Sequence, residues 1–266
     1  MLALSPTGRR FGWLAPAIDL VLPPRCPACR VIVDGDDRFC ADCFGQLAFI
    51  TAPVCACCGV PLPHDGGPDT QCGACLATPP RFHSARSAFV YGGPVRSVVL
   101  GLKHGDRQHL GGLMARAMLR AAGGALPADA LVVPVPLHRW RLWRRGHNQA
   151  ATIARALARI SGAELAVDAL LRVKPTPSTR GLGRNARQRN VVGAFRVARA
   201  GEVKSRDVVL VDDVLTTGAT VEACAGVLRR AGARHVHVLT FARAIASSDA
   251  KWGGAPSDGE FSDGQG

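Results

Sequence analysis

Apolar residues along this chain follow two periods. Short, nearly unbroken runs of β-branched and aliphatic residues occur at 130–136 (ALVVPVP), 208–211 (VVLV) and, in alternation, 235–241 (HVHVLTF). Runs of this length bounded by charge or proline suit strands of a parallel sheet covered on both faces. Ala88–Tyr91 and Val191–Val197 read as two further strands. Elsewhere the period is helical. Val95, Val98, Val99 and Leu102 form a stripe within Val95–Lys103, Leu110–Ala122 continues as a second helix ended by Gly123 and Gly124, and Ala151, Ile153, Leu157 and Ile160 mark a third over Asn148–Ile160. A fourth runs from about Ala219 to Ala231 and is closed by Gly232. Strands alternating with helices predict an α/β domain over residues 81–245. His235 and His237 are expected to flank its sheet rather than hold a metal.

The ends of the chain read differently. Arg9 and Arg10 precede FGWLAPAIDLVL, but Asp19 interrupts the apolar run and no small-residue cleavage site follows. Residues 1–24 are therefore expected to hold an amphipathic helix stopped by Pro23 and Pro24. Residues 246–266 are small, polar and glycine-rich, the composition of a disordered tail. No apolar run reaches the roughly 20 residues of a membrane span, so no membrane insertion and a cytoplasmic location are expected.

The most informative stretch is DVVLVDDVLTTGAT, Asp207 to Thr220. The strand at 208–211 is expected to end at Asp212 and Asp213, two adjacent carboxylates that belong at the solvent mouth of a sheet, where open α/β sheets bind ligands. Thr216, Thr217 and Gly218 then lead into a helix whose N-terminus offers backbone N–H groups and the positive end of a dipole, a cradle for phosphate. Carboxylates beside such a cradle suit a sugar phosphate with vicinal hydroxyls, with or without Mg²⁺. A nucleotide-hydrolysing site would pair the acidic strand with a GxxxxGK[ST] loop, and the sequence has none.

Cysteine use adds a second module. Nine of the ten cysteines lie between positions 26 and 75. Cys26 and Cys29 with Cys40 and Cys43 make one pair of CxxC knuckles, and Cys55 and Cys58 with Cys72 and Cys75 make another, the spacing of a double zinc ribbon over residues 25–80. Gly59 and Gly73 adjoin the second pair as tight turns require. Cys57 is an alternative to Cys55 or Cys58, although the two-residue gap favours Cys55. A disulfide framework is the rival reading and would need an export signal. Cys224 reads as a small core residue and His64 as an exposed loop residue.

The net charge of +13 is concentrated in the middle of the chain, where residues 81–245 hold 27 basic and 9 acidic side chains. Leu137–His147 (LHRWRLWRRGH) is either an anion-binding loop or an amphipathic segment that packs Trp140 and Trp143 inward. Leu170–Asn190 carries six cations, and no acidic residue occurs between Ala169 and Gly201. With Pro175, Pro177, Gly181 and Gly183 it reads as a basic loop. Such a surface suits a polyanion, whether a small phosphorylated ligand or single-stranded nucleic acid, or is simply a solvated arginine-rich face.

The segment from Val208 to Thr220 resembles the PRPP-binding signature of type I phosphoribosyltransferases. In their order, the paired CxxC knuckles, LKHGD, VPVP, RRGHNQA, the basic loop and VDDVLTTGAT resemble the ComF family over about Phe11 to Arg243. That resemblance implies a type I phosphoribosyltransferase-like parallel sheet flanked by helices, preceded by a small N-terminal zinc-ribbon module, and a link to competence and DNA uptake. It implies that Asp212 and Asp213 hold the ribose hydroxyls of PRPP and act in catalysis, and that Thr216, Thr217, Gly218 and Thr220 hold its 5-phosphate. Val135 and Pro136, with Arg145, Lys174, Arg184 and Arg189, would contact pyrophosphate, with Mg²⁺ alongside and about two structural Zn²⁺ in the ribbons. His147 stands where the family carries phenylalanine, which leaves packing or a ligand contact open. The alternative to transfer of ribose 5-phosphate is a binding module for single-stranded DNA or a competence helicase.

Overall fold

The computed structural model describes residues 23–103, 107–138, 142–143, 146–174 and 191–245. The predicted N-terminal helix and tail lie outside them, as do Trp140, Arg145, Arg184 and Arg189.

The cysteine-rich segment folds as a tandem repeat. Cys26 donates its N–H to Val31 O, Arg30 to Cys26 O and Val33 to Pro24 O; 29 positions on, Cys55 donates to Val60 O, Gly59 to Cys55 O and Leu62 to Pro53 O. Arg30 and Gly59, both at φ +70°, turn the two knuckles. The other half of each unit is a short helix, α1 (Ala41–Gly45) or α2 (Gly73–Ala77), with Cys40 or Cys72 as its N-cap. Gly73 therefore opens a helix rather than a turn: the first helical turn itself brings residues i and i+3 to one side, so no left-handed residue is needed.

The larger part is a five-stranded sheet, parallel throughout, in the order β1 (Ser84–Val90), β7 (His235–Arg243), β6 (Asp207–Leu215), β2 (Leu131–Pro134), β3 (Glu164–Leu165). One face is covered by α3 (Gly93–Lys103), α4 (Leu110–Ala121) and α5 (Gln149–Ser161), which bury Val98, Leu102, Met114, Met118, Ile153 and Leu157 against Val209, Val211 and Phe241. The other face takes α7 (Ala219–Arg230), with Val221, Cys224 and Leu228 against Val208, Leu210, Val236 and Val238. Cys224 is thus the core residue expected. An antiparallel pair, β4 (Leu170–Arg172) and β5 (Phe195–Val197), packs on the same side. A short helix, α6 (Ala200–Val203), precedes β6.

Several expected boundaries move, for physical reasons. β6 does not stop at Asp212 but runs to Leu215, because the backbone ladder with β7 continues (Asp212 opposite Thr240, Val214 opposite Ala242) after the apolar run has ended. β1 begins at Ser84, where polar positions are paired across the sheet: Ser87 Oγ and Thr240 Oγ1, both buried, share a hydrogen bond of 2.6 Å. The expected basic loop opens as β4, and only Phe195–Val197 of the 191–197 run is strand. In α5 the buried stripe takes in Ala150, Ala154 and Ala158, while Ile160 at its far end is exposed.

The ribbons cover the open edge of the sheet. Ile50 N–H donates to Ala88 O at 3.0 Å, Val90 N–H to Ala48 O at 2.8 Å, and Ala85 N–H to Cys57 O at 2.7 Å. An uncovered edge strand would template association with other chains; here the ribbon backbone pairs with it at Ala85, Ala88 and Val90. An aromatic chain ties the modules further, with ring centroids 5.9 Å apart for Phe44–Phe49, 4.9 Å for Phe49–Phe89 and 5.1 Å for Phe89–Phe241. Arg116 on α4 pairs with Asp37 of the first ribbon. Among the described residues no helix is long and apolar enough to cross a membrane.

Candidate functional site

The acidic pair lies at the C-terminal half of β6, the central strand. Asp213 N–H donates to Asp212 Oδ1 at 3.0 Å and Val214 N–H to Asp213 Oδ1 at 2.7 Å, so each carboxylate is oriented by the next backbone amide. Both are half-buried. Burial and the neighbouring Asp213 push the Asp212 carboxyl well above its ordinary value, with Arg172 pulling the other way. Burial also raises Asp213, opposed by the Val214 N–H and by Lys103. Two carboxyls that have lost water to each other gain from a cation, or from ligand hydroxyls that donate to them.

Thr216, Thr217 and Gly218 turn the chain from β6 into α7. Gly218 is the N-cap at φ +79°, and no side chain caps the helix. The amides of the first turn and the positive helix end consequently face the turn without an internal carboxylate or hydroxyl on them, which is the physical requirement of a phosphate cradle. Glu222, in that first turn, is held away by its own partner: both carboxylate oxygens accept from Arg81 N–H, at 3.1 and 3.3 Å.

The loop after β2 is anchored from two sides. Val135 N–H donates to Val211 O at 2.9 Å, and Val135 O accepts from Asn148 Nδ2 at 3.1 Å. Val135 and Pro136 are buried, and Pro136 carries no N–H. Asn148 Oδ1 also accepts from Ala150 N–H, capping α5. His147 Nε2 donates to Leu102 O at 2.8 Å, and Gln149 Nε2 to Lys103 O at 3.2 Å. The RGHNQ stretch thus clamps the C-terminus of α3 and with it Lys103, an attachment that phenylalanine at 147 has no atom to make. Of the predicted pyrophosphate cations, Lys174 is exposed just beyond β4.

Sequence reasoning left two cations out of the acidic site. Arg172, from β4, acts on Asp212 and Lys103, from α3, on Asp213, while burial and then Asp213 raise the phenol of Tyr91 against the pull of Arg96. LKHGD was visible as a motif and Arg172 as a member of a basic run, but only the topology brings elements so far apart in sequence to one place. Trp143 is 79% exposed and so does not pack inward.

In each ribbon the four thiols converge, with all Sγ atoms within 4.8 Å of one another. Cys29 and Cys40 Sγ are 3.6 Å apart, Cys58 and Cys72 Sγ 3.7 Å. Two thiolates on one tetrahedral zinc, at about 2.3 Å each, stand about 3.8 Å apart, far beyond the ~2.05 Å of a disulfide. Cys55, not Cys57, completes the second group, and its Sγ accepts N–H bonds from Cys58 at 3.4 Å and Cys72 at 3.3 Å. Burial works to raise the Cys55 thiol, but the amides of Cys72, Cys58 and Cys57 outweigh it and bring it down to about 7. In the first group the amides of Cys29, Cys40 and Ala28 likewise overcome burial and bring Cys26 to about 6. The donor sets fit two structural zinc ions, with no coordination position left for catalysis. His64 is exposed and belongs to neither group.

A parallel sheet carrying an acidic strand and a phosphate turn, joined to two four-thiolate ribbons, defines a phosphoribosyltransferase-type domain with a double zinc ribbon. Residues 17–76 match the double zinc ribbon domain family and residues 147–254 the phosphoribosyl transferase domain family. The DNA utilization protein YhgH of Escherichia coli is 32% identical over 234 residues, covering 85% of this chain and 100% of that protein. Competence protein F of Haemophilus influenzae is 31% identical over 227 residues, covering 83% of this chain and 97% of that protein. Within the class defined by fold and site, the chain belongs to the ComF family, that of these two relatives. Glutamine phosphoribosylpyrophosphate amidotransferase from B. subtilis aligns over 51% of this chain and 26% of its own, at 24% identity and a TM-score of 0.33.

Proposed function

We propose that the protein binds PRPP with Mg²⁺ and transfers its ribose 5-phosphate unit to an acceptor nucleophile. The observation that carries this reading is the placement of an oriented, half-buried acidic pair directly before a helix N-terminus that no side chain caps. In this reading the amides and hydroxyls of Thr216, Thr217, Gly218 and Thr220 hold the 5-phosphate. Asp212 and Asp213 accept from the ribose hydroxyls, and their charge favours the cationic, oxocarbenium-like state at C1. The C1–O bond to pyrophosphate breaks as the bond from C1 to the acceptor forms, and the acceptor releases its proton. Mg²⁺, when bound, neutralises charge on the pyrophosphate. Lys103, Lys174, Arg145, Arg184 and Arg189 meet the rest of that charge, while Val135 and Pro136 shape the loop beneath it. The division into residues 1–24, 25–80, 81–245 and 246–266, and a cytoplasmic location, go with this reading.

Calorimetric titration of PRPP with MgCl₂ into the zinc-loaded protein tests it. Binding lost in the Asp212→Ala, Asp213→Ala double variant, and pyrophosphate release on addition of an acceptor, are expected; a folded wild type that takes up no PRPP refutes the assignment.

A second reading rests on Trp143, 79% exposed beside an arginine-rich segment, and on the names of the two relatives. Aromatic rings among cations stack on single-stranded bases, so the same fold would serve as a binding module for single-stranded DNA or a competence helicase in DNA uptake. Binding to single-stranded DNA that falls steeply with salt and weakens in Trp143→Ala supports direct contact; salt-insensitive or absent binding removes it.

A further inference from the structure

At the opposite rim of the sheet from the phosphate turn, the N-terminal ends of β6 and β7 bring together a second constellation. Asp207 and His235 are direct cross-strand partners, and His237, two residues on, shares their face. Asp207, His235 and His237 each place one ligand-capable atom within 4.8 Å of the other two. The exposed His83, immediately before β1, packs its ring against the group: its ring centroid is 4.6 Å from that of His235 and 5.1 Å from that of His237, and the latter two are 6.2 Å apart.

The hydrogen bonds of this cluster are those of a ligand set. His235 Nδ1 donates to Asp207 Oδ1 at 2.9 Å, and His237 Nδ1 shares a hydrogen bond of 2.9 Å with Ser84 Oγ. Arg234 holds the same carboxylate from Nε at 2.9 Å and Nη2 at 2.7 Å. With Nδ1 of His235 and of His237 engaged, Nε2 is the remaining donor of each of these two rings, the arrangement by which an outer carboxylate or hydroxyl fixes the tautomer of a metal-bound imidazole. A metal about 2.0–2.1 Å from Nε2 lies about 3.2 Å from the ring centre, so rings sharing one ion stand about 4.5–6 Å apart. The three separations fall in or close to that window. Burial and the proximity of His83 favour the neutral, ligating form of His237.

We propose that His83, His235 and His237, oriented by Asp207 and Ser84, bind a divalent transition-metal ion of the zinc, nickel and copper group. An all-imidazole donor set selects these ions over Mg²⁺ and Ca²⁺, which take oxygen. The site differs in chemistry from the thiolate sites, and it is independent of the PRPP reading. Its ion would clasp the segment leaving the second ribbon, through His83, to the first residues of β7.

Nickel uptake by the full chain, free of any polyhistidine tag and with its cysteine sites filled by zinc, tests the site. Titration calorimetry and metal analysis after desalting are expected to find one Ni²⁺ per chain beyond the zinc. His235→Ala with His237→Ala should abolish that equivalent, His83→Gln should weaken it at least tenfold, and Asp207→Asn should weaken it about 10–100-fold while the stoichiometry is kept. His83→Gln changes an exposed side chain, so its zinc content and circular dichroism should match wild type and separate ligand loss from misfolding. A wild-type protein that takes up no nickel, or nickel binding unchanged in His83→Gln and in the double variant, overturns the proposal.

Discussion

At the scale of single residues, two glycines in the left-handed region are predicted to behave differently. Gly59 has φ +70°, and a Cβ there would lie 2.3 Å from Ala85 O on β1. Gly218 has φ +79°, but nothing lies within 4 Å of the position its Cβ would take. Gly218→Ala should therefore cost about 1–2 kcal/mol, the price of a left-handed L-residue. Gly59→Ala must also push the second ribbon off the sheet edge, and should cost about 2–4 kcal/mol. Urea unfolding of the two variants checks this, and equal costs would show that the ribbon gives way freely.

Asp207 supplies a pH prediction at the same scale. The hydrogen bond from Arg234 and that from His235 hold its carboxyl below the usual range, against the upward pull of burial. A carboxyl depressed on folding contributes stability that is present above its unfolded value of about 4 and is lost as pH falls through the folded one. Asp207→Asn should lower stability at neutral pH and flatten the loss between about pH 4 and pH 2. Denaturant midpoints measured from pH 7 downward decide it: parallel curves for variant and wild type would mean the carboxylate contributes nothing.

At the scale of elements, Asn148 joins two of them. Its side chain caps α5 through Ala150 and holds β2's exit loop through Val135 O. Asn148→Ala should cost about 1 kcal/mol from the cap alone, and on the PRPP reading should also weaken PRPP binding, because the loop beside the acidic pair loses its anchor. A stability loss with unchanged PRPP affinity would confine Asn148 to the cap. Elements were also where the sequence was most and least legible. The CxxC spacing gave both ribbons, since two residues between thiols determine how they converge whatever surrounds them. VVLVDD gave the buried strand but not its end, because hydropathy stops at Val211 while the ladder runs on to Leu215. β4 escaped because Leu170–Arg172 opens the basic run Leu170–Asn190, where no apolar periodicity marks a strand, and its partner β5 was read only as part of a longer strand over 191–197. Lys103 and Arg172 were readable as cations, but their approach to Asp212 and Asp213 is a product of topology alone.

At the scale of the whole molecule, the second ribbon and the phosphate turn are mechanically joined. Arg243, the last residue of β7, donates from Nη1 to Cys58 O at 2.7 Å, and its Nη2 lies 3.9 Å from Cys58 Sγ. The same residue is the ladder partner of Leu215, and Ala244 N–H donates to Leu215 O at 2.9 Å. Leu215 immediately precedes the phosphate turn. A second link runs from Arg81 N–H, just past the ribbon, to Glu222 in the first turn of α7. The first ribbon reaches the sheet differently, through the backbone of Ala48 and Ile50 on β1 and through the Asp37–Arg116 pair on α4. Loss of zinc from the second site should therefore loosen Cys58, free Arg243, and weaken PRPP binding by about tenfold, equivalent to some 1.4 kcal/mol. Loss from the first should leave that affinity within about twofold. Cys72→Ser and Cys40→Ser remove one thiolate from each site and leave Cys58 and the residues of the sheet unsubstituted. Calorimetry of PRPP binding to both variants, with metal analysis reporting one zinc lost in each, separates the cases. Equal effects of the two substitutions would mean that the ribbons stabilise the domain as a whole rather than through Arg243; no effect of either, with wild-type PRPP binding intact, would disconnect them from the phosphate turn.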